Sequence, residues 1–380
     1  MYRIYYAEKD ATLYEKFPEQ NTGIDQILEI SKIASGSQLN GVVQGNTTNS
    51  RILIDFGTEI TSLSQSIVDG EIPALNKNNV KSGSVFLNLR AANASDLLQT
   101  YSIFAFPVSE SWTNGGGNYS DTPIQTFGCS WYYRDSKDEA TEWATGSAES
   151  VTDGVGATET EGGGTYTTTV QASQTFTNES PDIRMDVTDI VKGWVEGDRP
   201  NHGFILKRRR TDEISGAIQG TLQFFSRETH TIYVPRLEVC FDDSAIGSSD
   251  NVITSNLYVP YIKNIKSKYT RDEIARFQIG VRPEFPAKTF QTSSFFFTDN
   301  QLPVSSSYEI YDAETEEILM KDEKLFGNSK TKISTNVADG SFFDIRMDSF
   351  FPERYYRIRL KCRRSNDTQV FSDFYFRVVR

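Results

Sequence analysis

The sequence predicts an all-β chain built as two sandwich domains in tandem, and three observations carry that expectation. Aromatic residues are plentiful, with 25 Phe and 18 Tyr against only 4 Met, and such residues favour pleated sheets. Short runs of alternating apolar and polar residues recur along the chain, bounded by Gly, Pro, Asn and Ser, as strands separated by turns should be. A helical stripe stands out at a single place, where Val187, Ile190, Val191 and Trp194 fall at i, i+3, i+4 and i+7.

Taken in order, Tyr2 to Tyr6, Thr12 to Tyr14 and Ile27 to Ile33 read as strands around the turn region Pro18 to Gly23, and Ser35 to Asn49 reads as an exposed loop. Arg51 to Phe56 alternates Ile52, Ile54 and Phe56 on one face, a half-buried strand, whereas Ile60 to Asn79 reads as an insertion with at most a turn of helix. Ser84 to Arg90 and Thr100 to Val108 alternate as strands, Cys129 to Tyr133 is an aromatic strand, and Ala140 to Trp143 suggests a brief helical turn. Gly146 to Gly164 is almost free of large apolar residues, too few to offset its ordering entropy, and reads as a long loop. Asp186 or Thr188 caps the short helix at about 187–195. Gly197, Pro200 and Gly203 then end it and turn the chain into the buried strand Phe204-Ile205-Leu206. Thr221 to Ser226 and Ile232 to Phe241 close the first domain.

The polar, Ser-rich stretch after Phe241 marks a boundary, which gives a first domain over 1–243, a linker over 244–256 and a second domain over 257–380. Short strands at regular spacing fill the second domain, from Val259 to Ile265, through Ser293 to Phe297, to Phe371 to Val379. The terminal strand is expected to be internal to that sandwich, with a role as an interface strand as the alternative.

Several motifs in the first part resemble, in order, the disaggregatase-related β-sandwich domains called DNRLRE-type, which are similar to alginate-binding carbohydrate-binding modules. They are Asp10-Ala-Thr-Leu-Tyr, Asn21-Thr-Gly, Ser50-Arg-Ile-Leu-Ile-Asp-Phe, Glu110-Ser-Trp-Thr, Gly128-Cys-Ser-Trp-Tyr-Tyr-Arg-Asp, the helix-to-strand stretch Asp186 to Lys207, and Phe225-Ser-Arg-Glu leading to Pro235-Arg-Leu-Glu-Val. The resemblance implies a jelly-roll-like N-terminal sandwich. The corner Phe350-Phe-Pro-Glu-Arg-Tyr-Tyr-Arg-Ile resembles the approach to the penultimate strand of fibronectin type III and immunoglobulin-like domains, where a corner tyrosine is common. The second domain is therefore expected to be an Ig-like sandwich.

A formal net charge of −12 repels phosphate backbones, so no nucleic-acid partner is expected. The local exception, Lys207-Arg-Arg-Arg210, reads as a solvated strand end balanced by Asp212 and Glu213, with contact to an acidic polysaccharide or protein as the alternative. Cys129, Cys240 and Cys362 are too few and too scattered for a disulfide framework and read as buried, reduced thiols. The start, MYRIYYAEKDATLYEK, lacks the apolar core of a signal peptide, and no run is long enough to span a membrane, so synthesis in a cytosol without membrane attachment is expected.

No catalytic constellation emerges from the residue types. His202, in the turn Pro200-Asn-His-Gly, and His230 are the only two histidines, too few for the usual triads or zinc sites. The glycine runs Asn114-Gly-Gly-Gly-Asn and Gly162-Gly-Gly lack the Lys-Ser/Thr of a phosphate loop. The chain is expected not to be an enzyme and to need no cofactor. Sandwich modules of the type it resembles often hold a structural calcium between loop oxygens. Asp10, Asn21 and Asp25 are the candidate hard ligands, with Asp182 or Asp186 as others and ordinary turn capping as the alternative. Trp112, Trp131 and Trp143 fit core positions better than a sugar-stacking face.

In its overall pattern the chain also looks like proteins of large tailed phages. That resemblance implies a non-catalytic virion protein of the neck, tail, capsid decoration or fibres, made in the host cytoplasm and contacting other virion proteins and copies of itself in a symmetric assembly. The alternative function is a carbohydrate-binding adhesion module recognising a surface glycan.

Overall fold

The computed structural model describes residues 1–34, 37–39, 42–44, 47–79, 81–136, 140–144, 162–177, 180–247, 252–253, 257–285, 300–322, 324–325, 328–336, 338–363 and 367–380. Among these, three α-helices and one 3-10 turn stand against a long series of strands, so the protein is all-β. Packing divides the chain into two compact units. One holds Tyr5–Lys77 and Ser84–Glu238; the other holds Met1–Ile4, Asn78–Gly83 and Val239–Arg380.

The first unit is dominated by a curled eight-stranded antiparallel sheet. Its path runs Ala172–Thr177, Thr100–Pro107, Phe204–Arg208, Thr47–Asp55, Ile27–Ala34, Gly220–Phe225 and Ala91–Ser95, with Lys9–Tyr14 also paired to Thr47–Asp55. In a second sheet, Ser84–Leu89 pairs antiparallel with Ile183–Asp186. Phe204–Arg208 lies inside the large sheet, between Thr100–Pro107 and Thr47–Asp55, and all five of its residues are buried.

One edge of the long strand Thr47–Asp55 is shared by two partners in succession. Lys9–Tyr14 covers it from Asp55 down to Ser50, and Ile27–Ala34 takes over from Asn49 to Thr47. The handover exists because Lys9–Tyr14 ends in the turn that leads to the Asn21 loop. Within the expected loop Ser35 to Asn49, the described residues form a small hairpin, Ser37–Leu39 with Val42–Gln44, and the start of Thr47–Asp55.

The expected short helix is present as Thr188–Val195, with Ile190, Val191 and Trp194 inward. The Trp194 ring packs at 4.6 Å and 63° on that of Phe204, tying the helix to the strand that follows it. Asp186 accepts a hydrogen bond from Thr188 N at 3.0 Å, and the Thr188 hydroxyl accepts one from Val85 N at 2.9 Å. Two local expectations are corrected. A full helix, Gly57–Val68, runs into the expected insertion Ile60 to Asn79, anchored by Ile60, Leu63 and Ser66 at every third position. At the expected turn Ala140 to Trp143, Thr141–Glu142 instead pairs as a strand with Tyr133–Asp135.

The second unit is an Ig-like sandwich. One sheet orders Tyr258–Ile262, Ile274–Pro283, Gly340–Arg346 and Ser334–Asn336; the other orders Lys268–Thr270, Thr368–Val379, Arg354–Arg363, Ser307–Asp312 and Ile318–Met320. The first strand crosses from one sheet to the other, its continuation Lys268–Thr270 running parallel to the last strand. Two sheets with this strand order make the immunoglobulin topology. Aromatic rings fill the interior, among them Tyr308 on Phe343 at 4.1 Å and Phe350 on Tyr356 at 4.6 Å. The Tyr356 hydroxyl donates to Phe351 O at 2.8 Å, the corner bond that the sequence resemblance implies.

The division between the units falls after Glu238, and the first four residues group with the second. Within 244–256, the described Ala245 accepts from Thr335 N at 3.0 Å, and Gly247 N donates to Thr335 O at 2.7 Å. Residues 248–251 and 254–256 of that stretch, 146–161 of the expected long loop, and the expected strand Ser293 to Phe297 lie outside the described residues.

Candidate functional site

The motifs of the opening strand and the glycine run meet at one end of the first sandwich. Asn21 is fully buried, and its amide uses its whole bonding capacity. Nδ2 donates to Asn114 O at 2.7 Å and Cys129 O at 2.8 Å, while Oδ1 accepts from Gly117 N at 2.8 Å and Gly23 N at 3.2 Å. The run Asn114-Gly-Gly-Gly-Asn is thus a seat for one amide. Gly115 has φ +84°, and a Cβ there would lie 2.2 Å from Phe127 O and 2.4 Å from Asn21 Oδ1, so only glycine fits. Further bonds lace the same loops together: Asn21 N to Gln125 O, Ile24 N to Gly117 O, Tyr132 N to Pro18 O, and Gln20 Nε2 to Tyr119 O.

Apolar side chains are held outward on this framework. Ile24, Tyr119, Ile124, Phe127 and Tyr132 are each between 39% and 49% exposed. Tyr119 leans on Tyr14 at 4.8 Å and meets Phe17 edge-on at 5.8 Å. The loops that carry them are tied together by backbone bonds, so these five exposed apolar side chains stand on one framework, an apolar loop platform.

Each of the three candidate calcium ligands already has hydrogen-bond partners. Asn21 Oδ1 is occupied by two backbone donors. Asp10 is buried and accepts from Arg227 N at 2.6 Å; burial pushes its carboxyl up to about 7. Asp25 lies at the platform, accepting from Tyr119 N at 3.1 Å, and burial with Asp121 and Glu29 nearby raises it to about 6. Asp10 and Asp25 touch the same turn from different atoms, since Ser226 Oγ donates to Asp25 O. Asp182 pairs with Arg90 and accepts from Ala91 N, and Asp186 serves the helix start. Among the described residues no group of three or more His, Cys, Asp or Glu side chains is placed to hold a metal ion.

Trp112, Trp131 and Trp143 belong to the core with Leu13, Leu53, Cys129, Tyr166 and Ile205, as expected. Trp112 Nε1 donates to His202 O at 2.9 Å, so His202 serves through its backbone, and burial lowers the pKa of its ring. The three cysteines are buried thiols outside any disulfide, and burial pushes the Cys129 thiol up to about 12.

The basic run is a correction. Lys207 and Arg208 are 1% and 2% exposed, so neither a solvated strand end nor a ligand-binding patch describes them. Glu213 bonds Arg51 through both carboxylate oxygens, Oε1 to Nε at 3.1 Å and Oε2 to Nη2 at 2.8 Å, and its Oε2 lies 3.0 Å from Lys207 Nζ. Arg51 also donates to Gly163 O and lies over the Trp131 ring, while Arg208 Nη2 donates to Gln219 O at 2.8 Å. Arg209 alone in the run is exposed.

The platform was missed by sequence reasoning because Tyr119, Ile124, Phe127 and Tyr132 have no periodicity. The available signal was the glycine run opposite Asn21-Thr-Gly, which implies two backbones in close approach.

No protein-family model matches the chain, and no curated protein does. Among solved structures, an FMN-binding beta-glucuronidase from Facaelibacterium prausnitzii L2-6 aligns at 11% identity over 100% of this chain and 39% of its own, with a TM-score of 0.17. The chain spans well under half of that protein's length, and a likeness at this level carries no argument about fold or activity.

Proposed function

We propose that this chain is a non-catalytic structural protein of a tailed-phage particle, and that the loop end of its first sandwich is a contact face for another particle protein. The observation that carries the reading is the apolar platform of Ile24, Tyr119, Ile124, Phe127 and Tyr132, exposed on loops fixed by the Asn21 amide. Exposed apolar groups on a rigid frame lose little entropy on docking, so their burial converts efficiently into affinity. The virion setting rests on the sequence resemblance. Replacing Tyr119, Phe127 and Tyr132 together by Ser should leave a folded protein that no longer enters particles when supplied in place of the wild type. Undiminished incorporation of the folded variant would remove the platform from the assembly role.

A second reading has its own observation. Tyr119 sits beside the carboxylate of Asp25, which has Asp121 nearby, the pairing of a ring face with hydrogen-bond acceptors that suits a sugar. Retention on an immobilised polysaccharide, lost in Tyr119→Ala, would favour a carbohydrate-binding module.

A further inference from the structure

The handover on the edge of Thr47–Asp55 creates a second grouping, away from the platform. Lys32 and Asn49 are direct cross-strand partners at the point where Ile27–Ala34 replaces Lys9–Tyr14. Opposed residues of an antiparallel pair project to the same face with Cβ atoms about 5 Å apart. Glu15, the first residue beyond Tyr14, reaches the same place: its N donates to Asn49 O, and its Oε2 accepts from both Asn49 N at 2.7 Å and Asn49 Nδ2 at 2.8 Å.

Lys32 is fully buried, and its Nζ donates to Glu213 O, a backbone carbonyl that Asn49 Nδ2 also approaches at 3.5 Å. Asn49 Oδ1 is buried and has no hydrogen-bond partner among the described residues. A lysine in such a place favours the neutral amine, the nucleophilic form, and burial does lower its pKa. A primary amine, a carboxamide and a carboxylate already bonded to the amide nitrogen are thus gathered at one point on the strand edge.

We propose that Lys32 and Asn49 become joined by an intramolecular amide bond, with Glu15 as the proton-transfer group. The Lys32 Nζ lone pair attacks Asn49 Cγ, placing negative charge on Oδ1. Glu15 takes one proton from Nζ and delivers it to Nδ2, the Cγ–Nδ2 bond breaks, and one ammonia leaves. An amine and a primary amide become a secondary amide and ammonia, with no redox change and no further reactant. The bond links the two strands that flank the connection from residue 33 to residue 48, so it closes a loop and restricts the unfolded chain. A covalent tie at this point resists unzipping of the edge, a useful property for a particle exposed to load or protease. The inference does not depend on the role of the platform.

The test is the intact mass of the purified full chain after denaturation, followed by peptide mapping. The expected result is a mass lower by one ammonia than the sequence requires, and a branched peptide joining the segments that contain Lys32 and Asn49. Lys32→Arg and Asn49→Ala should each show the full mass of their own sequence, and Glu15→Gln should remain unreacted. Because the mass is read on denatured chains, the wild-type result stands whether or not a variant folds. A wild-type chain at full mass, with Lys32 and Asn49 in separate peptides, overturns the proposal. So does ammonia loss that persists in Lys32→Arg, which would place the reaction at an asparagine alone. Ammonia loss undiminished in Glu15→Gln overturns the role of Glu15.

Discussion

Two basic stretches of this chain look alike as text and end in opposite environments. Lys207-Arg-Arg-Arg210 closes a strand whose residues are buried without alternation, whereas Arg354–Arg363 alternates strictly from Tyr355 onward, with Tyr356, Ile358, Leu360 and Cys362 inward. In the first sandwich Lys207 and Arg208 turn inside, where the Glu213 carboxylate is shared by Lys207 and Arg51. In the Ig-like sandwich Arg357, Arg359 and Lys361 stay half-exposed on the outer face, stacked on Tyr311 or paired with Glu309 and Glu316. The difference lies in what covers the strand. Phe204–Arg208 is covered on both faces, so its polar residues need interior partners; Arg354–Arg363 is covered on one.

The sharpest way to break this comparison is to remove the shared anion. Glu213→Gln leaves Arg51 and Lys207 as uncompensated buried charges and should cost about 3–5 kcal/mol in denaturant unfolding of the full chain. A loss near zero would mean that water reaches the network.

Buried acids sharpen it next. Among the described residues no cationic side chain is bonded to the carboxylate of Asp10 in the first sandwich, and burial raises its folded pKa from 3.8 to about 7. Below about pH 4 its carboxyl is neutral in both states. As pH rises from there to about 7 the unfolded chain releases the proton and the folded chain keeps it. Folded stability therefore falls by up to about 4 kcal/mol and is flat above that range. Urea unfolding of wild type and Asp10→Asn at pH 5 and pH 8 should show this slope in the first and its absence in the second. Asp312 in the Ig-like sandwich behaves oppositely. Burial alone would raise it, but the Arg354 guanidinium and the N–H groups of Thr315 and Glu314 outweigh burial and hold it below the usual range. Its contribution is present near neutrality and lost as pH falls through the acid range. Asp312→Asn should flatten that acid-side loss.

Two smaller effects complete the contrast. Tyr356→Phe removes the corner bond to Phe351 O and should cost about 1 kcal/mol, read as a shift in unfolding midpoint. Glu316→Gln removes an exposed partner of Arg357 and should cost no more than about 1 kcal/mol, shrinking further in salt. A cost for Glu316→Gln equal to that for Glu213→Gln would erase the distinction between the two sandwiches.

What the sequence made legible follows from the range of each signal. The Trp194 stripe, the turn at Gly203 and the strand Phe204–Arg208 are written within some twenty residues, and the structure has them in place. Tyr356 and its corner are equally local. Helix Gly57–Val68 was hidden because one of its three inward residues, Ser66, is polar while the apolar Val68 is exposed. The inward turn of Lys207 could not be read from its neighbours, since its environment is set by Arg51, Tyr166 and the sheet around it. Likewise, Asp10, Asn21 and Asp25 read from the sequence as candidate calcium ligands, but only the fold shows that Asp10 is buried in a strand and that Asn21 is consumed by the glycine run.

The central claim, that this is a structural component of a particle, is tested most directly by quantitative mass spectrometry of purified virions encoding the chain. The account predicts a fixed copy number relative to the portal and major capsid proteins, at a multiple allowed by the symmetry of a ring or lattice. Absence of the chain from virions that are otherwise complete and infectious would contradict it.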